Sequence, residues 1–355
     1  MKTAAALSLA SVVAILPAVP VSGFLPAAPA TSNHCLSPRS NISVNRRPRH
    51  AAALRAPRMV AAGGERTVAT PETSGEDPRG PAGSIEVTYL EINSWMWQVN
   101  GLNLLVDPVF GTVDFGVPIL IQATKTVLSD SERVTRELAA ETDFVIISQG
   151  IDDHCHAPTI QALSGLLDPS VRLVATPRAR GVLEEHFPAS RITYLLPGQS
   201  TVLSGRGRAV EVKATSGAVL GPPWQQAENG FVVRPVAADG SGKEVEGGTL
   251  YYEGHLMFNK KELSKLNADV VIAPVVPMSM ASYPLVNGGA KALDLAATLS
   301  ASKVVTMANS EADFVGPLVD YIDSVSTHED FLEMAKAEEM TVVVPEVAKA
   351  VRVWP

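Results

Sequence analysis

Two imidazoles, a thiol and two carboxylates fall within five consecutive residues, Asp152-Asp153-His154-Cys155-His156. Side chains of these types ligate metals and transfer protons, and a Cys beside a His can act as a nucleophile. The cluster directly follows Phe144-Val145-Ile146-Ile147, an apolar run that reads as a buried strand, so its chemistry would be presented from a strand end. A second polar group, Glu253-Gly254-His255, follows Thr249-Leu250-Tyr251-Tyr252 in the same way.

The elements that must position these residues are also legible. Ile85 to Leu90 alternates apolar and polar residues, as a half-buried strand does. Ser94 to Val99 and Leu102 to Pro108 read as two more strands, joined by Asn100-Gly101, a type I′ hairpin signal. Ser129 to Glu141 has a helical pattern with capping groups at its start. Helices are expected over Pro158–Leu167, Pro177–His186 and Gly288–Ser300. Strands are expected over Val171–Ala175, Ile192–Leu196, Val210–Ala214, Gly230–Pro235, Ala268–Pro274 and Lys303–Met307, with Gly198-Gln199-Ser200 as a turn. Strand-rich halves with helices between them imply an α/β fold of two face-to-face sheets with helices outside, an αββα sandwich. No repeat is visible in the sequence itself.

The strand and polar cluster resemble the metallo-β-lactamase signature, an apolar strand followed by Ser/Thr-His-x-His-x-Asp-His. Ser148, Asp153 and His154 match their positions, while Gln149 and Ile151 stand where the first two His residues would be. The Asp107-Pro108 strand end resembles the lactonase-like branch, where that Asp helps orient the site. The resemblance runs from about Ile85 to Val344. It implies an αββα sandwich with Asp107, Asp153, His154, His156, Glu253 and His255 gathered at one end. It also implies that the two-metal centre of the superfamily is degenerate here. The positions of most other ligands hold different residues: the segment Val212 to Ala218 has no His, His255 falls where a bridging Asp would lie, and Ala308 or Asn309 replaces a late His.

What remains is a donor set for one ion: Asp153, His154 and His255, with Glu253 or His156 as a fourth ligand. Asp153 and His154 would also be the catalytic pair. His, Asp and Glu suit zinc, iron or manganese, and three protein ligands suffice for a catalytic zinc. The implied activity is metal-dependent hydrolysis of a lactone, ester or phosphodiester. Other readings stay open. Asp153 and His154 would serve equally as hydrogen-bonding supports, and the fold would then bind a small molecule, or act in assembly, without catalysis. Cys155 is a thiolate ligand, a nucleophile or an inert core residue. Ile151 is expected to pack inward, Trp95 and Trp97 to lie in the core, and Trp224, on a Pro-rich loop, to be core or pocket wall.

Composition separates a presequence from the domain. Residues 1–64 contain seven of the 29 Lys and Arg residues and none of the 37 Asp and Glu; they begin with an apolar, Ala-rich run and continue rich in Ala, Pro, Ser and Arg. Such a signal-like segment followed by an acid-poor one marks an organelle presequence. The Val21-Ser22-Gly23-Phe24-Leu25-Pro26 junction resembles the Phe-centred site of bipartite plastid presequences. The expectation is import into a plastid stroma, with secretion as the alternative; residues 65–84 form a linker and 85–355 the domain. Loss of residues 1–64 leaves 22 basic against 37 acidic residues, a net charge of −15 rather than −8. So acidic a domain repels nucleic acid and anionic membrane, which leaves a small-molecule ligand or substrate as the expected partner. Cleavage also separates Cys35 from Cys155, so no disulfide framework is available. No stable membrane span is expected in the mature chain.

Overall fold

The computed structural model describes residues 80–115, 117–219, 224–280, 283–308 and 311–355; the presequence expected over residues 1–64 lies outside them. Two seven-stranded sheets are built in the same way. In the first, β1 (Ile85–Tyr89), β2 (Trp95–Val99) and β3 (Leu102–Val106) form an antiparallel meander. Asn100 and Gly101 between β2 and β3 have φ values of 50° and 70°, as the type I′ turn requires. β4 (Phe144–Ile147), β5 (Arg172–Ala175) and β6 (Ile192–Tyr194) then add in parallel, each reached through one of the helices α1 (Ser131–Glu141), α2 (Ala157–Leu166) and α3 (Arg180–His186).

The second sheet starts with the antiparallel strands β7 (Ser200–Gly205), β8 (Arg208–Ser216), β9 (Asn229–Val236) and β10 (Leu250–Tyr252). It continues in parallel through β11 (Val270–Pro274), β12 (Lys303–Met307) and β13 (Thr341–Val343). Helices α4 (Lys260–Leu263), α5 (Ala290–Thr298) and α6 (His328–Ala337) connect these parallel strands. Finally β14 (Ala350–Trp354) returns to pair with β1, so the sheet orders are β14-β1-β2-β3-β4-β5-β6 and β13-β12-β11-β10-β9-β8-β7. Each sheet thus has three antiparallel pairs followed by three parallel ones. The duplication absent from the sequence is present in the topology.

Three apolar layers make the sandwich. Inward residues of both sheets, Trp97, Leu104, Phe144, Ile146, Phe231, Tyr252 and Ile272 among them, form the central core. Val145 and Ile147 face the other way, against Ile160 and Leu163 of α2 and Leu183 of α3. Val271 and Val304 meet Leu293 and Leu295 of α5 and Phe331 of α6. This two-sided burial explains why β4 reads as an unbroken apolar run: a parallel strand covered on both faces has no polar face to show. Trp95 and Trp97 are fully buried, as expected.

Some elements differ from expectation. The turn expected over Gly198-Gln199-Ser200 runs into β7, an edge strand that the mostly polar Ser200-Thr201-Val202-Leu203-Ser204-Gly205 does not announce and in which Leu203 is the residue buried in the core. The segment from Pro177 begins as a 3-10 turn, Pro177–Ala179, and becomes α-helical at Arg180. The end of the expected linker is folded against the domain: the Gly83 amide donates to Asn100 Oδ1 at 3.0 Å, and Ser84 is buried.

Candidate metal centre

Parallel neighbours end side by side, so the residues leaving β3 and β4 meet at one edge of the sandwich, and Tyr252 at the end of β10 reaches them from the facing sheet. Asp107 follows β3, Ser148 and Gln149 follow β4, and Glu253 and His255 follow β10. The Tyr252 hydroxyl donates to Asp107 Oδ2 at 3.1 Å, and its ring meets Trp97 edge-on with centroids 5.4 Å apart. The Asn229 amide, at the start of β9, donates to the Ser148 carbonyl at 3.1 Å. Glu228 adds a second tie: it accepts from the Gly150 amide at 3.2 Å and from Arg178 Nε at 2.5 Å. Only Gly fits at position 150, because a Cβ there would stand 2.6 Å from the Arg178 carbonyl carbon.

Asp107 organises the buried part of the site. It adopts φ 43°, a left-handed conformation that Asp tolerates better than most residues. Its Oδ1 accepts from the Ser148 amide at 2.7 Å. Its Oδ2 accepts from Ser148 Oγ at 2.5 Å and from His154 Nδ1 at 2.7 Å. With Nδ1 carrying the proton, His154 Nε2 is the free lone pair. It accepts from Asn93 Nδ2 at 2.9 Å, and Asp153 Oδ2 stands 3.9 Å from it. Burial alone would lower the His154 pKa, but Asp107 and Asp153 together overcome it and the net shift is upward. Burial raises the Asp153 carboxyl, against the opposing pull of His154.

His255 lies beside this pair. The two rings have centroids 5.2 Å apart and are inclined by 33°. Gly254 permits the approach, since a Cβ there would come within 2.6 Å of His154 Cε1. His255 Nδ1 accepts from Gln149 Nε2 at 2.7 Å, which places its proton on Nε2. Burial and the neighbouring His154 push its pKa down to about 3, so it is neutral. Glu253 accepts from the Met257 amide at 2.6 Å and from Gln149 Nε2 at 3.3 Å, and burial lifts its pKa to about 7.

The structure therefore brings together Asp153, His154 and His255, whose ligand atoms all lie within 4.8 Å of one another. Glu253 is adjacent through Gln149. His156 is not part of the group: it is the N-cap of α2, with Nδ1 bonded to Thr159 Oγ1 at 2.8 Å and Nε2 facing the Thr112 carbonyl at 3.2 Å. Cys155 belongs to the core beneath α2, and burial raises its thiol far above the usual range, so it is neither nucleophile nor thiolate ligand. Ile151 is half-buried and joins none of the hydrophobic clusters; its carbonyl instead accepts from the His154 and Cys155 amides at 3.0 and 2.7 Å, closing the turn that carries Asp153. Trp224 is 85% exposed, and so is not core. Asn93 and Tyr252 are the site residues that sequence reasoning missed. Asn93 is one of several polar residues in the β1–β2 turn and Tyr252 one of two tyrosines in an apolar strand, and no spacing marks either.

The donor set fits one divalent ion. Two imidazoles and a carboxylate converge, one imidazole is backed by a carboxylate in the way metal-binding His residues usually are, and Asp153 Oδ1 is buried without a hydrogen-bond partner. Gln149, which has a second orphaned oxygen, Oε1, supplies only a neutral amide where a further ligand would be needed for a second ion.

A four-layer αββα sandwich with a His–Asp cluster at the strand ends is the architecture of the metallo-β-lactamase fold. The chain belongs to the beta-lactamase superfamily domain family, which matches residues 86–308. Among solved structures it is similar to a possible metal-dependent hydrolase from Veillonella parvula, with 14% identity, a TM-score of 0.51, and coverage of 77% of this chain and 99% of that one. It is also similar to Igni18, a metallo hydrolase from Ignicoccus hospitalis, with 16% identity, a TM-score of 0.50 and coverage of 76% and 98%. No curated protein sequence gives a match. Among the described residues no helix is long and apolar enough to cross a membrane.

Proposed function

We propose that this protein is a single-ion hydrolase with a degenerate form of the superfamily's metal centre, acting on a neutral lactone or ester. The observation that carries this reading is the convergence of Asp153, His154 and His255 with Asp107 behind His154. A divalent ion held there, zinc, iron or manganese, would supply the Lewis acidity that makes water a nucleophile at neutral pH. The chain's own residues do the rest. Asp107 holds the His154 proton on Nδ1 and so keeps Nε2 a lone pair. Gly254 lets the second imidazole approach. Asp153 is the more open member of the cluster, with a side chain 15% exposed, so substrate reaches the site from its side. Asp152 stands there too, its pKa raised to about 6 by burial and by Asp114 and Asp153. That concentration of carboxyls favours neutral esters and lactones over anionic phosphodiesters.

The test is a panel of aryl esters, lactones and aryl phosphodiesters offered to protein supplied with zinc or manganese. Hydrolysis of the neutral substrates that chelation stops and His154→Ala abolishes is expected. Hydrolysis that survives His154→Ala would overturn the assignment of the site.

A second reading, a metal-free binding protein, is favoured by one observation: both imidazoles already accept hydrogen bonds from side-chain amides. Thermal stability that zinc leaves unchanged, in wild type and in His154→Ala alike, would select it.

We further propose that residues 1–64 deliver the domain to a plastid. Their acid-poor composition and the Phe24 junction support this. A fluorescent reporter carrying them should enter plastids, and Phe24→Ala should divert it; unchanged import of the variant would remove the bipartite reading.

A further inference from the structure

Two carboxamides are placed in the centre with their nitrogens, rather than their oxygens, toward the candidate ligands. Asn93, in the turn between β1 and β2, is 5% exposed. Its Nδ2 lies 2.9 Å from His154 Nε2, 3.0 Å from Asp153 Oδ2 and 3.1 Å from the Asp153 carbonyl. Two protons thus serve three acceptors, two of which belong to the candidate ligand set. The amide nitrogen sits where a cation between His154 and Asp153 would be drawn.

Gln149 repeats the arrangement. Its Nε2 lies 2.7 Å from His255 Nδ1, and its Oε1 is buried with no partner.

From this we infer that Asn93 is the fourth ligand of the ion, and that its carboxamide turns over when the ion binds, exchanging Nδ2 for Oδ1. The inference rests on the single-ion reading of the site. His154 has one nitrogen to give, because Asp107 holds the other, and the Asn93 N–H groups now cover it. An amide N–H directed at a cation is repulsive, whereas the carbonyl oxygen on the same planar group is an ordinary hard ligand. Rotation about the last side-chain torsion exchanges the two atoms with little change in shape.

Gln149 must turn in the same event whichever nitrogen His255 uses. If Nδ1 ligates, the Gln149 N–H has to leave it. If Nε2 ligates, the ring proton moves to Nδ1 and needs an acceptor, and the orphaned Oε1 is beside it. The amides thus satisfy the imidazoles without an ion and support them with one.

The test uses the full-length, metal-stripped protein and zinc as the probe. Calorimetric titration would compare wild type, Asn93→Ala and Asn93→Asp. Asparagine-selective 15N labelling, with the Asn93 resonance assigned by its loss in Asn93→Ala, would follow the side-chain NH2 signal during the titration. Wild type should take up one zinc, with the Asn93 NH2 signal shifting at one equivalent. Asn93→Ala should bind about tenfold or more weaker, and Asn93→Asp, which keeps the oxygen and adds a charge, about tenfold tighter. Circular dichroism checks that each variant is folded, and Asn93→Asp, nearly identical in shape, remains informative if Asn93→Ala is not. Asn93→Ala that binds as tightly as wild type or tighter would overturn the inference and leave the single-ion site standing. So would an Asn93 signal that zinc does not move. A wild type that takes up no zinc overturns both.

Discussion

Replacing Asp107 by Asn changes one atom and should disable the site. The carboxylate accepts four hydrogen bonds: Ser148 N–H on Oδ1, and Ser148 O–H, His154 Nδ1–H and Tyr252 O–H on Oδ2. Asn keeps one oxygen and turns the other acceptor into a donor. If that NH2 replaces Oδ2, it faces three donors. Two hydroxyls can rotate away, but the imidazole can respond only by moving its proton to Nε2. That proton would then meet the Asn93 amide at a separation now 2.9 Å, and Nε2 would cease to be a ligand. Breaking a buried, charge-assisted network costs about 3–5 kcal/mol of stability. Loss of the carboxylate behind a ligating His typically costs about 10–100-fold in metal affinity, or ~1.4–2.7 kcal/mol. Urea unfolding by circular dichroism and zinc titration by calorimetry would measure the two effects. Asp107→Asn within about 0.5 kcal/mol of wild type, with unchanged zinc affinity, would refute the reasoning, because that size is typical of a change away from any buried network.

Two further perturbations address the surroundings. Gly254→Ala would place a Cβ 2.6 Å from His154 Cε1 and 3.0 Å from the Tyr252 hydroxyl; it should cost about 1–3 kcal/mol and weaken zinc binding, and unfolding and calorimetry showing neither would contradict the packing. Lys125 is buried, donates to the Leu90 carbonyl and lies over Phe110, and burial lowers its pKa to about 7 despite the opposing effect of Glu91. Between that value and the unfolded value near ~10.4, the unfolded chain holds a proton the folded one lacks, so stability should rise with pH in this window. Lys125→Met should flatten the rise by up to about 1.4 kcal/mol per pH unit in denaturant-unfolding profiles; parallel profiles would show that Lys125 is charged when folded.

The parts of the fold written in short-range pattern were legible, and the site only in part. β4 could be read because burial on both faces leaves no polar residue in it, and the β2–β3 hairpin because a type I′ turn needs the φ values that Asn100-Gly101 adopts readily. β7 could not, since an edge strand with one buried side chain carries almost no apolar signal. The pairing of β14 with β1 joins the two ends of the domain, and no local pattern encodes it. At the site, Asp153, His154 and His255 were visible as residue types that polypeptides rarely bury without a use. His156 has the same type and the adjacent position, yet the turn closed on the Ile151 carbonyl sends it to α2. Tyr252 acts across the two sheets, a contact that depends on the sandwich being closed, and Asn93 reaches Asp153 and His154 from the β1–β2 turn of their own sheet. Their roles follow from packing rather than spacing.

The central claim is that one ion, not two and not none, belongs to this centre. Zinc per chain, counted by elemental mass spectrometry after equilibration with zinc and removal of loosely held metal, tests it most directly. One zinc per chain in wild type and none in His154→Ala is the expected result. Two tightly held zincs, or one that survives His154→Ala, would contradict it.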